Sequence, residues 1–202
     1  MNYVTAVGYG ADSAAFAKWW PASYHLIGKD ILTTHTVYWP TMLKALGLEM
    51  PRSIFAHGWW LVGRDKMSKS LGNVVNPMDM IEKFGIDAFR YFVVAEMVLG
   101  QDASFTEDAF LRRFNADLAN DLGNLLSRLL NMITRYCGGR IPAAAADALS
   151  GAEEKEVWGI IGAAVTGMEK AVAEMKLNEG VTGTITAVRA INRYLELKQP
   201  WT

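Results

Sequence analysis

The chain has 202 residues, 51% of them hydrophobic, enough to bury a core of ordinary size in one domain or two compact ones. Its 20 basic and 21 acidic residues give a formal net charge of -1, which excludes recognition of a polyanion by overall charge and leaves any RNA contact to a local patch. The single cysteine, Cys137, excludes an internal disulfide and a thiolate zinc cluster, fits a reducing compartment, and is expected to serve in packing.

No apolar run reaches the roughly 18 residues of a membrane span, because Glu96 interrupts the longest candidate. Residues 1–10 lack the basic and apolar regions of a signal peptide, so a soluble cytoplasmic protein with no membrane partner is the expectation. Tyr24-His25-Leu26-Ile27 reads as a buried strand ending at Gly28-Lys29-Asp30, and Val37, Leu43 and Leu46 predict a helix packed back onto it. A second strand is expected over Ile54-Phe55-Ala56-His57. Trp59-Trp60-Leu61-Val62 and the turn Gly63-Arg64-Asp65 then predict a hairpin and an exposed loop from Lys66.

Asn76-Pro77 predicts a capped helix that Gly85 ends, and Asp87 can open the next one. Thr106, with Glu107 and Asp108 complementing the helix dipole, predicts the start of the longest helix, which Gly138-Gly139 stops after Tyr136. Residues 153–176 predict a second long helix with Val157, Ile161, Ala164, Met168 and Met175 inward. A third is expected over residues 183–197, with Ile185, Val188, Ile191 and Leu195 inward and Pro200 beyond its end. The composition shift near residues 104–106 divides the chain into an α/β region, 1–105, and an all-α region, 106–202, mostly helical overall.

Lys66 and Lys69 flank Met67 and Ser68, and Gly63 and Gly72 should keep that loop mobile. Such a loop can close over an anion: ammonium groups beside a departing pyrophosphate stabilise the transition state, and removing one such group costs about 3 kcal/mol. An isolated lysine pair would more simply be a solvated loop. Lys66-Met67-Ser68-Lys69-Ser70 followed by Leu71-Gly72-Asn73, however, resembles the second signature of class I aminoacyl-tRNA synthetases. Leucyl, isoleucyl, valyl and cysteinyl enzymes share that loop. The flanks Gly28-Lys29-Asp30-Ile31 with His35, Trp39-Pro40, and Phe55-Ala56-His57-Gly58-Trp59 resemble the methionyl-tRNA synthetase family, as do Phe114-Asn115-Ala116-Asp117-Leu118 and Pro200-Trp201.

The resemblance implies a remnant of a Rossmann-type catalytic domain followed by an anticodon-binding helix bundle truncated at its C-terminus. It implies that Gly28 and Asp30, with Lys66, Met67, Ser68 and Lys69, bind ATP, and that Lys66 and Lys69 are the catalytic residues. A carboxylate suits paired ribose hydroxyls and glycine permits close backbone approach, although Asp30 taken alone could equally be a helix cap. Tyr3, Ile31 and His35 correspond to the methionine-binding positions. Ile31 and His35 are four apart and share a helix face if the helix starts early, although His35 alone reads as a structural histidine. His25 and His57 are expected to be structural.

Arg113, Asp117, Asp121, Asn124, Arg128, Asn131 and Arg135 form one polar stripe beside the apolar stripe Phe114, Leu118, Leu122, Leu125, Leu129. Asn and Arg can read base edges, and the resemblance assigns anticodon contacts to Asn124 and Arg128 with Trp201 stacking on a base. Without the match Trp201 would be an ordinary core aromatic. The implied partners are methionine, methionine tRNA, and ATP with Mg2+ as substrate complex, with no metal site in the chain. A His-Ile-Gly-His type motif is absent from the sequence, so the isolated chain is expected to be inactive. The alternatives are a noncatalytic tRNA-binding module and part of a sister class I synthetase.

Overall fold

The computed structural model describes residues 2–22, 24–144 and 147–201, and of Lys69 only the backbone. Met1, Ser23, Ala145, Ala146 and Thr202 lie outside the described residues. The chain divides into two compact units. The first comprises the residues up to Trp59 with Leu99–Asp102, and the second comprises Trp60–Val98 with the residues from Ala103 onward.

The first unit begins with two short helices, α1 (Asn2–Ala6) and α2 (Ser13–Trp19). Asp12 caps α2 by accepting from the backbone N–H groups of Ala14 and Ala15 at 3.0 and 2.9 Å, satisfying two of the donors that every helix start leaves open. Strand β1 (Tyr24–Gly28) pairs in parallel with β2 (Ser53–His57), in a register that sets Gly28 beside His57. Between them lies the expected helix, and it starts early. A 3-10 turn over Lys29–Ile31 leads through a π turn, Thr34–Tyr38, into α3 (Trp39–Ala45). Val4 and Leu43 are fully buried, and with Trp20 they form the core of this unit.

In the second unit β3 (Trp60–Val62) pairs antiparallel with β4 (Asp65–Lys66) and in parallel with β5 (Ala103–Ser104). Asn76 caps α4 (Pro77–Phe84), with Pro77 at the first position, where its missing N–H is harmless. Gly85 (φ 85) separates α4 from α5 (Ile86–Glu96). Beneath the strands, Phe92 and Phe110 are almost completely buried with rings 5.2 Å apart, and Phe84 and Phe105 close around them. Burial of each such side chain contributes roughly 2–3 kcal/mol.

Thr106 caps α6 (Glu107–Arg113) as expected, accepting from the Ala109 N–H at 3.1 Å. The helix then widens into π turns over Phe114–Gly123 before resuming as α7 (Asn124–Tyr136). Wider turns rotate the faces that a 3.6-residue period predicts. Leu122, expected inward, is exposed, whereas Asp117, expected on the polar stripe, is buried at 6% exposure. Cys137, expected to pack, is also exposed, because it lies at the C-terminal end of α7.

Helices α8 (Ala152–Ala173) and α9 (Leu177–Lys198) form an antiparallel pair. Helix α9 begins six residues earlier than its expected start. Gly180 lies inside it because the helices approach closely there: a Cβ at this position would come 2.6 Å from the Met168 sulfur. The observed class is the expected one, a small Rossmann-type α/β remnant followed by a helix bundle.

Candidate functional site

The first unit carries a cavity of about 460 Å3 lined by Tyr3, His25, His35, Tyr38, Trp39 and Met42 among others. Tyr3, held by α1, meets the Trp20 and His25 rings edge-on at 5.9 Å. The early helix start places Ile31 and His35 one turn apart, and His35 Nδ1 donates to the Ile31 carbonyl at 2.9 Å. The structure thus brings Tyr3 and His35 to one cavity. The Ile31 side chain is exposed and is not among the lining residues.

His25, expected to be structural, also lines the cavity. Trp39 Nε1 donates to its Nε2 at 3.1 Å, which requires that nitrogen to be unprotonated. Burial, and then the neighbouring His35, hold the His25 imidazole below its ordinary pKa. The cavity wall is therefore largely aromatic around a His25 imidazole held toward its neutral form, apolar enough for an aliphatic or thioether group. The tryptophan fourteen residues on escaped sequence reasoning because only the packing of β1 against α3 joins it to His25.

Gly28 and Asp30 stand at the end of β1, where a parallel strand gives way to its helix. A Cβ at Gly28 would come 2.8 Å from Asp30 Oδ1, so glycine leaves room for that carboxylate. Asp30 also accepts from Trp59 Nε1 at 3.2 Å. Lys29, between them, pairs with Asp102 at 2.6 Å.

In the second unit Lys66 ends β4 and is exposed, while Met67 turns down onto the phenylalanine core. The loop is tied. Asn73 accepts from the Ser68 N–H at 2.8 Å and donates to the Lys66 carbonyl at 3.3 Å, and the Ser68 and Ser70 hydroxyls are 2.6 Å apart. Gly72 (φ 64) turns the chain back toward Asn73. Gly72, expected to loosen this loop, therefore also serves to close its clasp. The Lys69 side chain lies outside what the structure describes; its backbone opens a single 3-10 turn, Lys69–Leu71.

On α7, Arg128 stands one turn beyond exposed Asn124, and its guanidinium lies 5.4 Å from the centre of the half-exposed Trp201 ring. Arg128 also pairs with Glu196 at 3.3 Å. Arg128 and Trp201 border a shallow hollow of about 210 Å3 that Asn131, Met132, Arg135 and Tyr136 also line; Asn124 is not among its lining residues. The other half of the polar stripe turns inward. Asp117 accepts from Tyr91 at 2.7 Å, Arg113 at 3.2 Å and Arg189 at 2.8 Å, and Arg189 also reaches Asp121 at 2.7 Å. Arg113, Asp117 and Asp121 thus hold helices together. Among the described residues no cluster of three or more potential ligands could hold a metal ion, and no helix is long and apolar enough to cross a membrane.

A lysine–serine loop clasped beyond a β-hairpin, in a chain that also carries a parallel-strand α/β unit, marks the class I aminoacyl-tRNA synthetases. Within that class the chain belongs to the methionyl family, since the family model described as "tRNA synthetases class I (M)" matches residues 1–130. The methionine–tRNA ligase of Halalkalibacterium halodurans is 43% identical over 201 residues, which are 99% of this chain and 30% of that protein. That of Clostridium perfringens is also 43% identical, over 99% of this chain and 31% of its own length. Mycobacterium tuberculosis methionyl-tRNA synthetase in complex with methionyl-adenylate superposes with a TM-score of 0.90 at 36% identity, over 99% of this chain and 39% of that one. Its apo form gives 0.85 at 33% identity, over 99% of this chain and 38% of that one. The chain spans about 30% of the length of the curated relatives it matches.

Proposed function

We propose that this chain supplies a methionine–tRNA ligase with its lysine loop, its ribose and methionine contacts, and its anticodon grip. The complete enzyme joins methionine to ATP, presented as its Mg2+ complex, and passes the methionyl group to methionine tRNA in the cytoplasm. In the first step a carboxylate oxygen of methionine bonds to the α-phosphorus as the bond to the pyrophosphate oxygen breaks. Lys66 and Lys69 stabilise the charge that grows on the departing pyrophosphate, with Met67 and Ser68 contributing the backbone that holds them to ATP. Gly28 and Asp30 receive the ribose hydroxyls. In the second step a hydroxyl of the terminal tRNA ribose attacks the methionyl carbonyl and AMP leaves.

Tyr3, Ile31 and His35 select the amino acid. A largely aromatic cavity favours a thioether and penalises charged side chains, which would lose their hydration there. Residues 1–105 serve catalysis and residues 106–202 serve tRNA recognition, where Asn124 and Arg128 contact anticodon base edges and Trp201 stacks on one base. The observation that carries this reading is the cavity bordered by Tyr3 and His35 in a chain of the methionyl family.

The test is methionine-dependent pyrophosphate exchange in the complete synthetase carrying this sequence. Lys66→Ala and Lys69→Ala should each lower kcat about 100-fold while leaving the KM for methionine in place. Exchange within threefold of the parent enzyme for both variants would refute the assigned role of the loop.

A further inference from the structure

Trp59 follows the end of β2 by two residues and is held from three directions. Gly58, immediately before it, is buried, and a Cβ there would come 1.9 Å from the Gln101 carbonyl oxygen and 2.7 Å from the Asp102 nitrogen. Only glycine lets residues 101–102 lie against this strand end. That close approach delivers Asp102, whose Oδ1 accepts from the Trp59 backbone N–H at 2.8 Å and pairs with Lys29 Nζ at 2.6 Å. The hydrogen bond from Lys29, and then the one from Trp59, hold the Asp102 carboxyl below its ordinary pKa. The same ammonium lies 4.2 Å from the centre of the Trp59 ring. The indole is thereby oriented, and its Nε1 donates to Asp30 Oδ1 at 3.2 Å.

We propose that Trp59 is a positioning residue for the nucleotide. The Lys29–Asp102 pair clamps its indole, and the indole N–H fixes the Asp30 carboxylate in the orientation that receives the ATP ribose hydroxyls. The proposal rests on the ribose reading of Asp30. It gives Lys29 a task other than meeting phosphate: its charge is engaged by Asp102 and the indole face. A carboxylate on an exposed turn rotates freely unless something holds it, and preorganising it removes an entropic cost from each substrate-binding event.

The assay is again methionine-dependent pyrophosphate exchange in the complete synthetase, comparing ATP with 2′-deoxy-ATP and 3′-deoxy-ATP. A site built to hydrogen-bond a hydroxyl discriminates against the analogue lacking it, and that discrimination depends on the orientation of the acceptor. Trp59→Phe keeps a ring beneath Lys29 and removes only the N–H donor. It should raise the KM for ATP and narrow the ATP preference in kcat/KM by about tenfold, with most of the loss in KM rather than kcat. Asp30→Asn should narrow the same preference. If Asp30→Asn narrows it and Trp59→Phe does not, the positioning role is overturned while the ribose reading stands. If neither does, the ribose reading falls and the proposal with it. In the 202-residue chain, the Trp59 indole proton resonance should shift upfield on Asp30→Asn, because its acceptor weakens, and an unmoved resonance would also overturn the proposal.

Discussion

In the unit that carries the cavity, the helix after β1 is held by apolar and aromatic contacts. Leu43 and Val4 are fully buried, Trp39 meets Trp20 edge-on at 6.2 Å, and the polar contact His25–Trp39 joins two uncharged groups. In the helical unit the corresponding task falls to charge. Asp117, on the π turns, binds Tyr91 of α5 and Arg189 of α9, while Arg113 bridges to Glu96. Under the proposed function the two constructions suit two substrates. A thioether needs a dry, neutral wall, and a buried ion nearby would draw in water. Helices proposed to grip an anticodon need a fixed rotation about their axes, which directional hydrogen bonds enforce better than interchangeable apolar contacts. Buried ion pairs are weak contributors to net stability but costly to break singly.

That contrast predicts different failures. Asp117→Ala strips the partly exposed Arg113, Arg189 and Tyr91 of a common acceptor, and should cost about 3 kcal/mol, the low end for breaking a buried ion pair. Asp117→Asn, nearly the same in volume, should recover less than half of it. Leu43→Ala in the first unit should cost about 3 kcal/mol through the cavity it opens, yet Leu43→Met should cost roughly 1 kcal/mol or less. Urea denaturation gives the totals, and amide hydrogen exchange assigns them: the Asp117 variants should expose α9 amides first, and the Leu43 variants those of α3. An Asp117→Asn protein as stable as the parent would remove charge from the account of the helical unit.

Most helix boundaries were legible because their causes are local. Asn76 with Pro77, Thr106 with Glu107 and Asp108, and the glycine pair after Tyr136 are caps and stops that a few neighbouring residues define. The strand, turn and helix around Gly28 and Asp30 were equally legible. What escaped depended on distant partners or on a departure from the ordinary helical period. The π turns placed Asp117 inward where a 3.6-residue step puts it outward, and Arg189, its partner, is 72 residues away. Gly180 falls before the expected start of the last helix, but it sits within α9, where Met168 and Ala171 press against it. Asp102 lies 43 residues from Trp59, and no spacing rule joins them. The glycines around Lys66 to Ser70 suggested looseness, whereas the Asn73 side chain closes the loop through two hydrogen bonds.

The smallest effect falls on the hydrogen bond between Trp39 and His25 in the cavity wall. Trp39→Phe removes the indole donor and leaves His25 Nε2 facing an aromatic wall, which should cost about 1 kcal/mol at neutral pH. Its pH dependence is the sharper reading. The folded state holds His25 below its ordinary pKa of 6.5, so between the folded and unfolded values the unfolded chain binds more protons. The contribution from neutral His25 is therefore complete above pH 6.5 and is lost as pH falls through the lower, folded value. In Trp39→Phe the competing donor on Nε2 is gone and protonation there becomes easier, so the His25 pKa should move upward toward 6.5. Stability in the variant should then fall less steeply between pH 6.5 and 5 than in the parent, and histidine titration by NMR reads the shift directly. An unchanged His25 titration would mean that burial and His35 alone set its charge, and the neutrality of His25 would not depend on Trp39.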